Sequence, residues 1–378
     1  MKNNGLIFIA ALSVFANRLL AIEAIPAPPA ISADTYLIMD FDSGRLLAAQ
    51  NVDTRVHPAS LTKIMTGYVI GDELEKKHIS LDDEVVISEK AWQMPGSRMF
   101  IEVNKQVPVR DLLNGVIIQS GNDSSVALAE HISGDESVFA QVMNRHAARL
   151  GLKDTHYVNA TGLPDPEHYT TAHDLAVLTT ALIRDHPEIY AIHSHQEFTF
   201  NGIKQPNRNR LLWLDGSVDG VKTGHTEEAG YCLVVSALRD GMRLITVVTG
   251  TESDNARTRA TQALLNYGFR FYETRKLFEA NKTLTSTKIW KAESATIDLG
   301  LKRDLYVTIG RGQFENLNKV FELPDRIVAP VTEGSEQGRL KLMLADKEIF
   351  TTPLYAIHSV QQGGLIRRLR DDIQLLFE

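Results

Sequence analysis

The sequence predicts an α/β (α+β) domain, in which helices flank an antiparallel sheet, followed by a small all-β domain. Between residues 35 and 271, segments with apolar positions three and four residues apart alternate with short, strongly apolar segments. From about Tyr272 onward, short alternating runs are separated by Gly, Pro, Asn and Asp, without a long helical pattern. The 378 residues are enough for two domains of this kind.

We expect four segments along the chain: a signal peptide at 1–24, a first domain at 25–271, a β domain at 272–360 and a terminal helix at 361–378. The first of these starts with Lys2 and an apolar stretch that has the length of a secretory signal peptide but is too short to span a bilayer. We therefore interpret the protein as exported, with an uncleaved N-terminal anchor as the alternative.

Local patterns place the elements of the first domain. Residues 35–50 predict two strands around an Asp-Ser-Gly turn. Helices are predicted to begin near Ser60 and then to cover residues 109–121, 124–132, 136–150, 171–184 and 255–268. Thr171 and Asp174 predict a capping box at one helix start. The runs 230–238 and 243–250 predict a hairpin, with the strand around Lys222 beside it.

Composition excludes several classes of function. A formal net charge of −7, spread without long runs, lacks the basic footprint of a nucleic-acid-binding protein. No His-x-x-Glu-His or paired-cysteine spacing occurs, so neither a metal nor an organic cofactor is expected. We interpret His193 and His195 as residues of a surface loop rather than as metal ligands. The single cysteine, Cys232, lies in an apolar run that predicts a buried strand.

Ser60 and Lys63 form the first of three motifs that together indicate chemistry. Positions three apart on a helix share a face, so the two side chains can come within hydrogen-bond reach. A serine hydroxyl is a poor nucleophile until a base takes its proton. Lysine can be that base if burial and a second cation lower its pKa, and Lys222 is the expected second cation.

The second and third motifs are Ser120-Gly-Asn122 and Lys222-Thr-Gly224. The former lies between two predicted helices, where a hydroxyl can shuttle a proton and an amide can hold a substrate carbonyl. The latter lies on a predicted edge strand, where Gly224 lets an extended substrate approach and Lys222 and Thr223 can bind a carboxylate. In this order, the motifs predict acyl transfer by a serine on a substrate that ends in a carboxylate.

The chain resembles the low-molecular-mass penicillin-binding proteins, which are serine D-alanyl-D-alanine carboxypeptidases with a transpeptidase/β-lactamase-like fold. The resemblance covers most of the chain and includes the three motifs. It also rests on the segments Ile25-Pro-Ala-Pro-Pro-Ala30, Pro58-Ala-Ser-Leu-Thr-Lys-Ile-Met-Thr66, Ser120-Gly-Asn-Asp-Ser124, Asp219-Gly-Val-Lys-Thr-Gly-His-Thr226 and Leu265-Asn-Tyr-Gly-Phe-Arg-Phe-Tyr-Glu273.

The resemblance implies a role for each motif. Ser60 would form the acyl-enzyme and Lys63 would be its base. Ser120 and Lys222 would relay the proton to the departing D-alanine. The backbone N–H groups of Ser60 and His225 would form the oxyanion hole.

It also implies how the substrate is held. Asn122 would bind the peptide side, and Thr223 and Arg257 would hold the terminal carboxylate. A guanidinium suits a carboxylate because it can donate two parallel hydrogen bonds. We place Arg257 in a turn after the hairpin, with the nearby Arg259 as the alternative.

The partners implied by the resemblance are peptidoglycan stem peptides ending in D-Ala-D-Ala, with β-lactams as covalent inhibitors. The expected location is the periplasmic face of the bacterial inner membrane. In the tail, one helical face carries Ile366, Leu369, Ile373 and Leu376 with Phe377, and Arg367, Arg368 and Arg370 lie on or beside its margin. Such a helix can lie in a membrane interface, as the family's membrane anchor does. The alternative is a terminal helix packed on its own domain.

Three other functions compete with this reading. A β-lactamase needs a deacylating Glu after the second motif, but Glu167 is the only Glu between residues 150 and 180 and lacks an Asn three residues later. Gly121 also stands where class A β-lactamases carry Asp. The C-terminal β domain argues against a cross-link endopeptidase. A slow wall-binding protein would keep penicillin labelling with negligible turnover.

Overall fold

The structure is a computed structural model that describes residues 25–377, so the predicted signal peptide lies outside the described residues. Within 25–377, no helix is long and apolar enough to span a bilayer. The helices are α1 (Lys63–Glu75), α2 (Glu89–Gln93), α3 (Val109–Asn114), α4 (Asn122–Ser133), α5 (Glu136–Leu150), α6 (Ala172–Asp185), α7 (Pro187–Ile192), α8 (Leu211–Leu214), α9 (Asp254–Phe271) and α10 (Leu365–Leu375).

The strands divide between the two predicted parts of the chain. Those of the first part are β1 (Thr35–Asp40), β2 (Leu46–Gln50), β3 (Glu84–Val86), β4 (Gln106–Pro108), β5 (Glu197–Phe200), β6 (Ile203–Pro206), β7 (Val218–Thr226), β8 (Gly230–Arg239) and β9 (Met242–Thr251). Those of the second are β10 (Tyr272–Phe278), β11 (Thr285–Trp290), β12 (Thr296–Gly300), β13 (Leu305–Gly310), β14 (Leu317–Glu322), β15 (Ile327–Val328), β16 (Glu336–Leu344) and β17 (Lys347–Ala356).

A five-stranded antiparallel sheet organises the first part, in the order β2-β1-β9-β8-β7. Because side chains alternate across a strand, its two faces bury different sets. Leu37 and Val234 join the core formed with α1 and α3–α6, whereas Ile38 and Val235 join the core under α9. The β7 strand lies at the sheet edge, as the sequence predicts for the strand of Lys222.

Most predicted elements are found within a few residues of their expected bounds, with two informative departures. The segment expected to be one helix over 109–121 is α-helical only to Asn114, and a π-helical turn, Gly115–Gln119, follows it. The capping box is half formed. Thr171 Oγ1 accepts from Asp174 N at 3.0 Å, but the Asp174 carboxylate instead accepts from the amide of Asp154.

The surface-loop interpretation of His193 is wrong. His193 follows α7 and is 1% exposed, and its Nδ1 hydrogen-bonds the carbonyl oxygen of Val221 at 2.8 Å. Burial lowers the pKa of His193 to about 4, so the ring is neutral at physiological pH. Its partner Val221 belongs to β7 and directly precedes Lys222 in the sequence. Cys232 is buried in β8, as the sequence predicts.

The second part is a β structure with its own apolar core, so the predicted fold class is confirmed. Six strands form a mixed sheet in the order β14-β16-β17-β12-β11-β15, and β10 pairs with β13. A polar cluster joins it to the first part. Thr308 Oγ1 lies 2.6 Å from Ser43 Oγ and 2.8 Å from Thr274 Oγ1, and Thr274 donates to Asp40.

The terminal helix α10 docks on the second part through polar contacts. Arg367 donates to the carbonyl oxygens of Glu293 and Ser294, and the buried Asp371 accepts from the amide of Lys291 at 2.6 Å. Its apolar side chains stay exposed: Leu365, Ile366, Leu369, Ile373, Leu376 and Phe377 are 54% to 87% accessible. The helix therefore packs on its own domain without burying its apolar face.

Candidate active site

The three motifs converge on one cavity of about 400 Å³. Ser60 reaches it from a 3₁₀ turn, Ser120 and Asn122 from the junction before α4, and Thr223 to His225 from β7. The other lining residues are Gly96, Ser97, Thr161, Gly162, Leu163, Arg208, Thr226 and Arg257. This lining contains no carboxylate and two guanidinium groups, which favours an anionic ligand.

The Ser60–Lys63 pair has the predicted proximity. Ser60 lies in the turn Ala59–Thr62, and Lys63 begins α1. Lys63 Nζ lies 3.2 Å from Ser60 Oγ and donates to Asn122 Oδ1 and to the carbonyl oxygen of Thr161, both at 2.7 Å. The ammonium is therefore fixed next to the hydroxyl by acceptors from two distant segments.

The electrostatics of Lys63 suit a base near neutral pH. Its side chain is 1% exposed, and burial, followed by the charge of Arg208, lowers its pKa to about 7. Arg208 is a neighbouring cation that the sequence did not indicate, in addition to Lys222, whose pKa the charge of Lys63 lowers. Half of the Lys63 side chains are then neutral close to pH 7, and a neutral amine can accept a proton.

Ser120 occupies an uncommon backbone conformation, with φ 65° and ψ 36°. Its Oγ is buried and has no hydrogen-bond partner among residues 25–377. The left-handed conformation ends the π-helical turn and directs the chain into α4. An unpaired hydroxyl costs free energy unless something binds it, so this oxygen is available to a substrate or a proton.

Asn122 is held at both ends of its amide. Oδ1 accepts from Lys63, and Nδ2 donates to the carbonyl oxygen of Pro95 at 2.7 Å. An amide carries two donors and two acceptor sites, so one of each remains for a substrate.

Lys222 points its ammonium into the same buried region, and its Nζ donates to the Thr223 carbonyl oxygen at 3.1 Å. Burial lowers the pKa of Lys222 well below its usual value, and the charge of Lys63 lowers it further. Because repulsion between like charges is mutual, the two lysines disfavour carrying two protons at once. Their protonation states are therefore coupled.

Two glycines pack closely against the turn that contains Ser60. A Cβ on Gly224 would lie 3.0 Å from the Pro58 carbonyl oxygen, and one on Gly162 would lie 1.8 Å from the Ala59 carbonyl oxygen. Gly162 also has φ +86°, and Ala59 itself has φ 47°. Close packing of β7 on the turn therefore adds a reason for Gly224 beyond substrate approach.

The predicted surroundings of Arg257 need correction. The turn expected at Arg257 is the first turn of α9, within the helix predicted over 255–268. Arg257 Nη1 donates to the carbonyl oxygens of Gly224 and Cys232, and its Nε and Nη2 donate to Asp254 Oδ1. Four of its five N–H groups are thus occupied, so it cannot donate two free parallel hydrogen bonds to a carboxylate.

Sequence reasoning missed Arg208 and Thr161. The Arg208 guanidinium lines the cavity and makes no hydrogen bond or ion pair with any residue of the described range 25–377. It lies in the polar stretch Pro206-Asn-Arg-Asn-Arg210. Nothing in the residue pattern of this stretch distinguishes it from an arginine in a solvated loop. Thr161 contributes its backbone carbonyl oxygen. Every residue has such a group, so the identity of the side chain gives no indication of this role. Neither residue could be found from a motif.

An antiparallel sheet flanked by helices, with a serine–lysine pair, a serine–asparagine loop and a lysine-bearing edge strand, defines the penicillin-binding class of serine acyl-transfer enzymes. Residues 22–253 match the peptidase S11 family, described as D-alanyl-D-alanine carboxypeptidase. Residues 272–362 match the penicillin-binding protein 5 C-terminal domain. The chain belongs to the S11 family of serine D-alanyl-D-alanine carboxypeptidases.

Curated relatives are similar over nearly the whole chain. D-alanyl-D-alanine carboxypeptidase DacC of Escherichia coli is 42% identical over 376 residues, which covers 97% of this chain and 94% of the relative. The corresponding DacA of Haemophilus influenzae is 42% identical over 367 residues, covering 96% and 93%. A role in the cell wall follows from the family.

Solved structures of penicillin-binding proteins have a similar fold. Penicillin-binding protein 5 from Haemophilus influenzae superposes with a TM-score of 0.87 at 42% identity, covering 89% of this chain and all 100% of that one. Penicillin-binding protein D2 from Listeria monocytogenes, in a cefotaxime-bound form, gives a TM-score of 0.60 at 30% identity and covers 65% of this chain and 100% of that one.

The packing at Gly224 gives a test of the site's geometry. In Gly224→Ala, the new methyl group meets the Pro58 carbonyl oxygen, so β7 and the Ser60 turn must move apart by a few tenths of an ångström. We expect the second-order rate of covalent penicillin binding to fall by roughly 10- to 100-fold, because small misplacements of reacting groups are costly. Stopped-flow acylation with a fluorescent penicillin measures this rate.

Gly216→Ala is the matched control, because a Cβ there meets nothing within 4 Å. It should keep the native acylation rate. An unchanged rate in Gly224→Ala would show that the close contact does not set the catalytic geometry.

Proposed function

We propose that Ser60 is the nucleophile that removes the terminal D-alanine from peptidoglycan stem peptides. Ser60 Oγ attacks the carbonyl carbon between the two D-alanines while its proton passes to neutral Lys63. The developing oxyanion is stabilised by the backbone N–H groups of Ser60 and His225, two residues that line the cavity. The contact between Lys63 Nζ and Ser60 Oγ, at 3.2 Å inside the motif cavity, is the observation that carries this function.

Ser120 and Lys222 complete the reaction. The scissile C–N bond breaks, and the proton held on Lys63 passes by way of Ser120 and Lys222 to the amine of the departing D-alanine. Ser120 suits this task because its buried Oγ has no partner in the described residues 25–377. Water then attacks the acyl-enzyme, again with a lysine taking its proton, and releases the shortened peptide and Ser60.

Substrate recognition follows from the charges of the cavity. Asn122 binds the peptide backbone through its remaining donor and acceptor. Arg208, Thr223 and the last free N–H of Arg257 hold the terminal carboxylate, with Arg208 as the guanidinium able to donate two parallel hydrogen bonds. β-Lactams carry an equivalent carboxylate and acylate the same serine.

Two of the rival functions, the β-lactamase and the wall-binding protein, lack support at the site. Glu167 is exposed and does not line the cavity, so it is not placed to activate a deacylating water as a β-lactamase requires. A wall-binding protein without turnover has no use for a lysine whose pKa lies near 7.

Replacing the nucleophile tests its identity. Ser60→Ala should abolish both D-alanine release from a D-Ala-D-Ala pentapeptide and covalent penicillin labelling, because no other hydroxyl in the cavity contacts Lys63. Mass spectrometry of the penicillin-treated protein and an assay for free D-alanine measure the two effects. Labelling that persists in this variant would place the nucleophile elsewhere.

The pH dependence of acylation tests the base. Since only neutral Lys63 accepts a proton, the acylation rate should rise with pH, with a midpoint near 7, and level off above it. Arg208→Gln removes a positive charge that disfavours protonated Lys63, so it should raise the pKa and move the midpoint to higher pH. The measurement is the rate of β-lactam acylation between pH 5 and pH 9, with the pH range set by the lysine pKa of about 7.

Arg210→Gln is the control for this prediction, because Arg210 lies two residues away and hydrogen-bonds Asn255 and Asp254 outside the cavity. Its profile should match the unmodified protein. The base assignment to Lys63 fails if the Arg208 variant keeps the native midpoint, whatever its absolute rate.

We further propose that the protein is exported to the periplasm and held at the inner membrane by α10. The N-terminal sequence pattern supports export. The exposed apolar row of α10 supports an interfacial helix, because such a row is costly to leave in water. The junction of α9 and β10 at residues 271 and 272 supports the division into domains at 25–271 and 272–360, with the anchor at 361–378.

Deleting residues 364–378 should release the protein from membranes and leave D-alanine release unchanged, because the residues that hold α10, Glu293, Ser294 and Lys291, lie in the β domain and not at the active site. Co-sedimentation with anionic vesicles and the peptide assay measure the two effects. A truncated protein that still pelleted with vesicles would refute the anchor.

A further inference from the structure

Arg208 reaches the active-site cavity without a protein partner for its guanidinium group. It makes no hydrogen bond and no ion pair anywhere in the described part of the chain, residues 25–377. A side chain without such contacts is placed mainly by the backbone that carries it. This backbone is the connection between β6, which ends at Pro206, and α8, which begins at Leu211.

Two asparagines fix this connection on either side of Arg208. Asn207 and Asn209 are 8% and 1% exposed, whereas Arg208 between them is accessible and lines the cavity. Asn207 Oδ1 accepts from the backbone N–H of Asn209 at 2.9 Å, and Asn207 Nδ2 donates to the carbonyl oxygen of His195 at 3.0 Å. The backbone of Arg208 is thus held in a turn that is tied to the segment after α7.

Asn209 connects the same turn to the strand of the active site. Its Nδ2 donates to the carbonyl oxygen of Gly220 in β7 at 3.0 Å, and its Oδ1 accepts from the backbone N–H of Leu211 at 3.2 Å. Asn209 itself does not line the cavity. Both ends of its buried amide bind the protein's own backbone, as expected of a residue that supports the site without contacting substrate.

The strand is the rigid side of this contact. β7 pairs with β8 over nearly its whole length, whereas residues 207–210 lie in no strand or helix. Gly220 precedes Thr223 by three residues on the same strand, and Thr223 lines the cavity. The hydrogen bond from Asn209 therefore fixes the backbone of Arg208 relative to that of Thr223.

We propose that Asn209 is a positioning residue that acts through Arg208 and sets the preference of the site for a terminal carboxylate. It ties the Arg208 turn to β7, so that one carboxylate can contact both the guanidinium group and Thr223. Donors that are already in place bind a ligand more tightly than donors that must be ordered during binding. The proposal rests on the proposed contact between Arg208 and the substrate carboxylate, and adds the residue that makes this contact selective.

The test compares two pentapeptides, one ending in D-Ala-D-Ala with a free carboxylate and the other with a terminal amide in its place. The measured quantity is the carboxylate preference, which is the ratio of the two kcat/KM values for release of D-alanine and of D-alaninamide. Arg208→Gln should lower this preference roughly 10- to 100-fold, because hydrogen bonds from a charged group to the carboxylate are lost. Asn209→Ser should lower it about ten-fold, because the guanidinium group remains but is less well placed.

The double variant separates positioning from a general loss of stability. If Asn209 acts through Arg208, the double variant should have the same carboxylate preference as Arg208→Gln alone, because no guanidinium group is left to misplace. Independent effects would multiply the two losses and overturn the proposal.

Asn144→Ser is the matched control for lost hydrogen bonds. Asn144 Nδ2 donates to the carbonyl oxygen of Tyr157, and Asn144 Oδ1 accepts from the backbone N–H of Tyr157, both at 2.8 Å. The change removes a similar pair of contacts that involves neither β7 nor the Arg208 turn. The melting temperature should fall, while the carboxylate preference should stay that of the unmodified protein.

Asn207→Ser tests the positioning role independently. It removes the acceptor for the backbone N–H of Asn209 and so frees the same turn from its other side. We expect a selective loss of carboxylate preference in the same direction. This variant decides the matter if Asn209→Ser does not fold.

A folded Asn209→Ser protein that keeps the full carboxylate preference would overturn the proposal, as would one that slows with both peptides equally. Neither result affects the proposed function as long as Arg208→Gln loses its preference. If Arg208→Gln also keeps the full preference, the proposed carboxylate contact of Arg208 fails, and the positioning role of Asn209 fails with it.

Discussion

The structure around the site depends on how a buried lysine is held. The ammonium of Lys63 has lost nearly all contact with water, and such a charge is tolerated only when acceptors replace the water or the pKa falls. Both occur here. Its acceptors, Asn122 and Thr161, lie 59 and 98 residues further along the chain. A single side chain therefore joins the start of α1, the start of α4 and the loop before α6.

The backbone around this lysine explains why the turn needs small neighbours. Gly162 and Gly224 approach the Ala59 and Pro58 carbonyl oxygens from two sides, and Ala59 and Ser120 both have positive φ. Residues other than glycine adopt this conformation at a cost, which the surrounding packing must offset. The strain falls at Ser120 and beside Ser60, where the proposed chemistry requires fixed geometry.

The sequence was sufficient for the fold class, because strand alternation, helical spacing and turn residues are local signals. The two strands at 35–50 and the β8–β9 hairpin are found where expected for this reason. That the three motifs meet in one cavity was expected from their order and from the resemblance to a known family, not from any local pattern. The junction at Ser120 was predicted, but the π-helical turn before it was not, since apolar spacing continues through Gly115–Gln119. Arg208, Thr161 and the buried position of His193 depend on contacts between distant segments, which no local pattern encodes.

The charges of the site also bear on the fate of the acyl-enzyme. Its lining has cations that attract a terminal carboxylate but no carboxylate that could activate water independently of the lysines. In the proposed mechanism, the coupled pair of Lys63 and Lys222 must therefore serve both half-reactions. After the peptide acylates Ser60, departure of D-alanine opens the path for water. A β-lactam leaves no such fragment, because its ring nitrogen stays attached, and the water must approach past it. Under this mechanism we expect the same machinery to give turnover with the peptide and a long-lived adduct with the antibiotic.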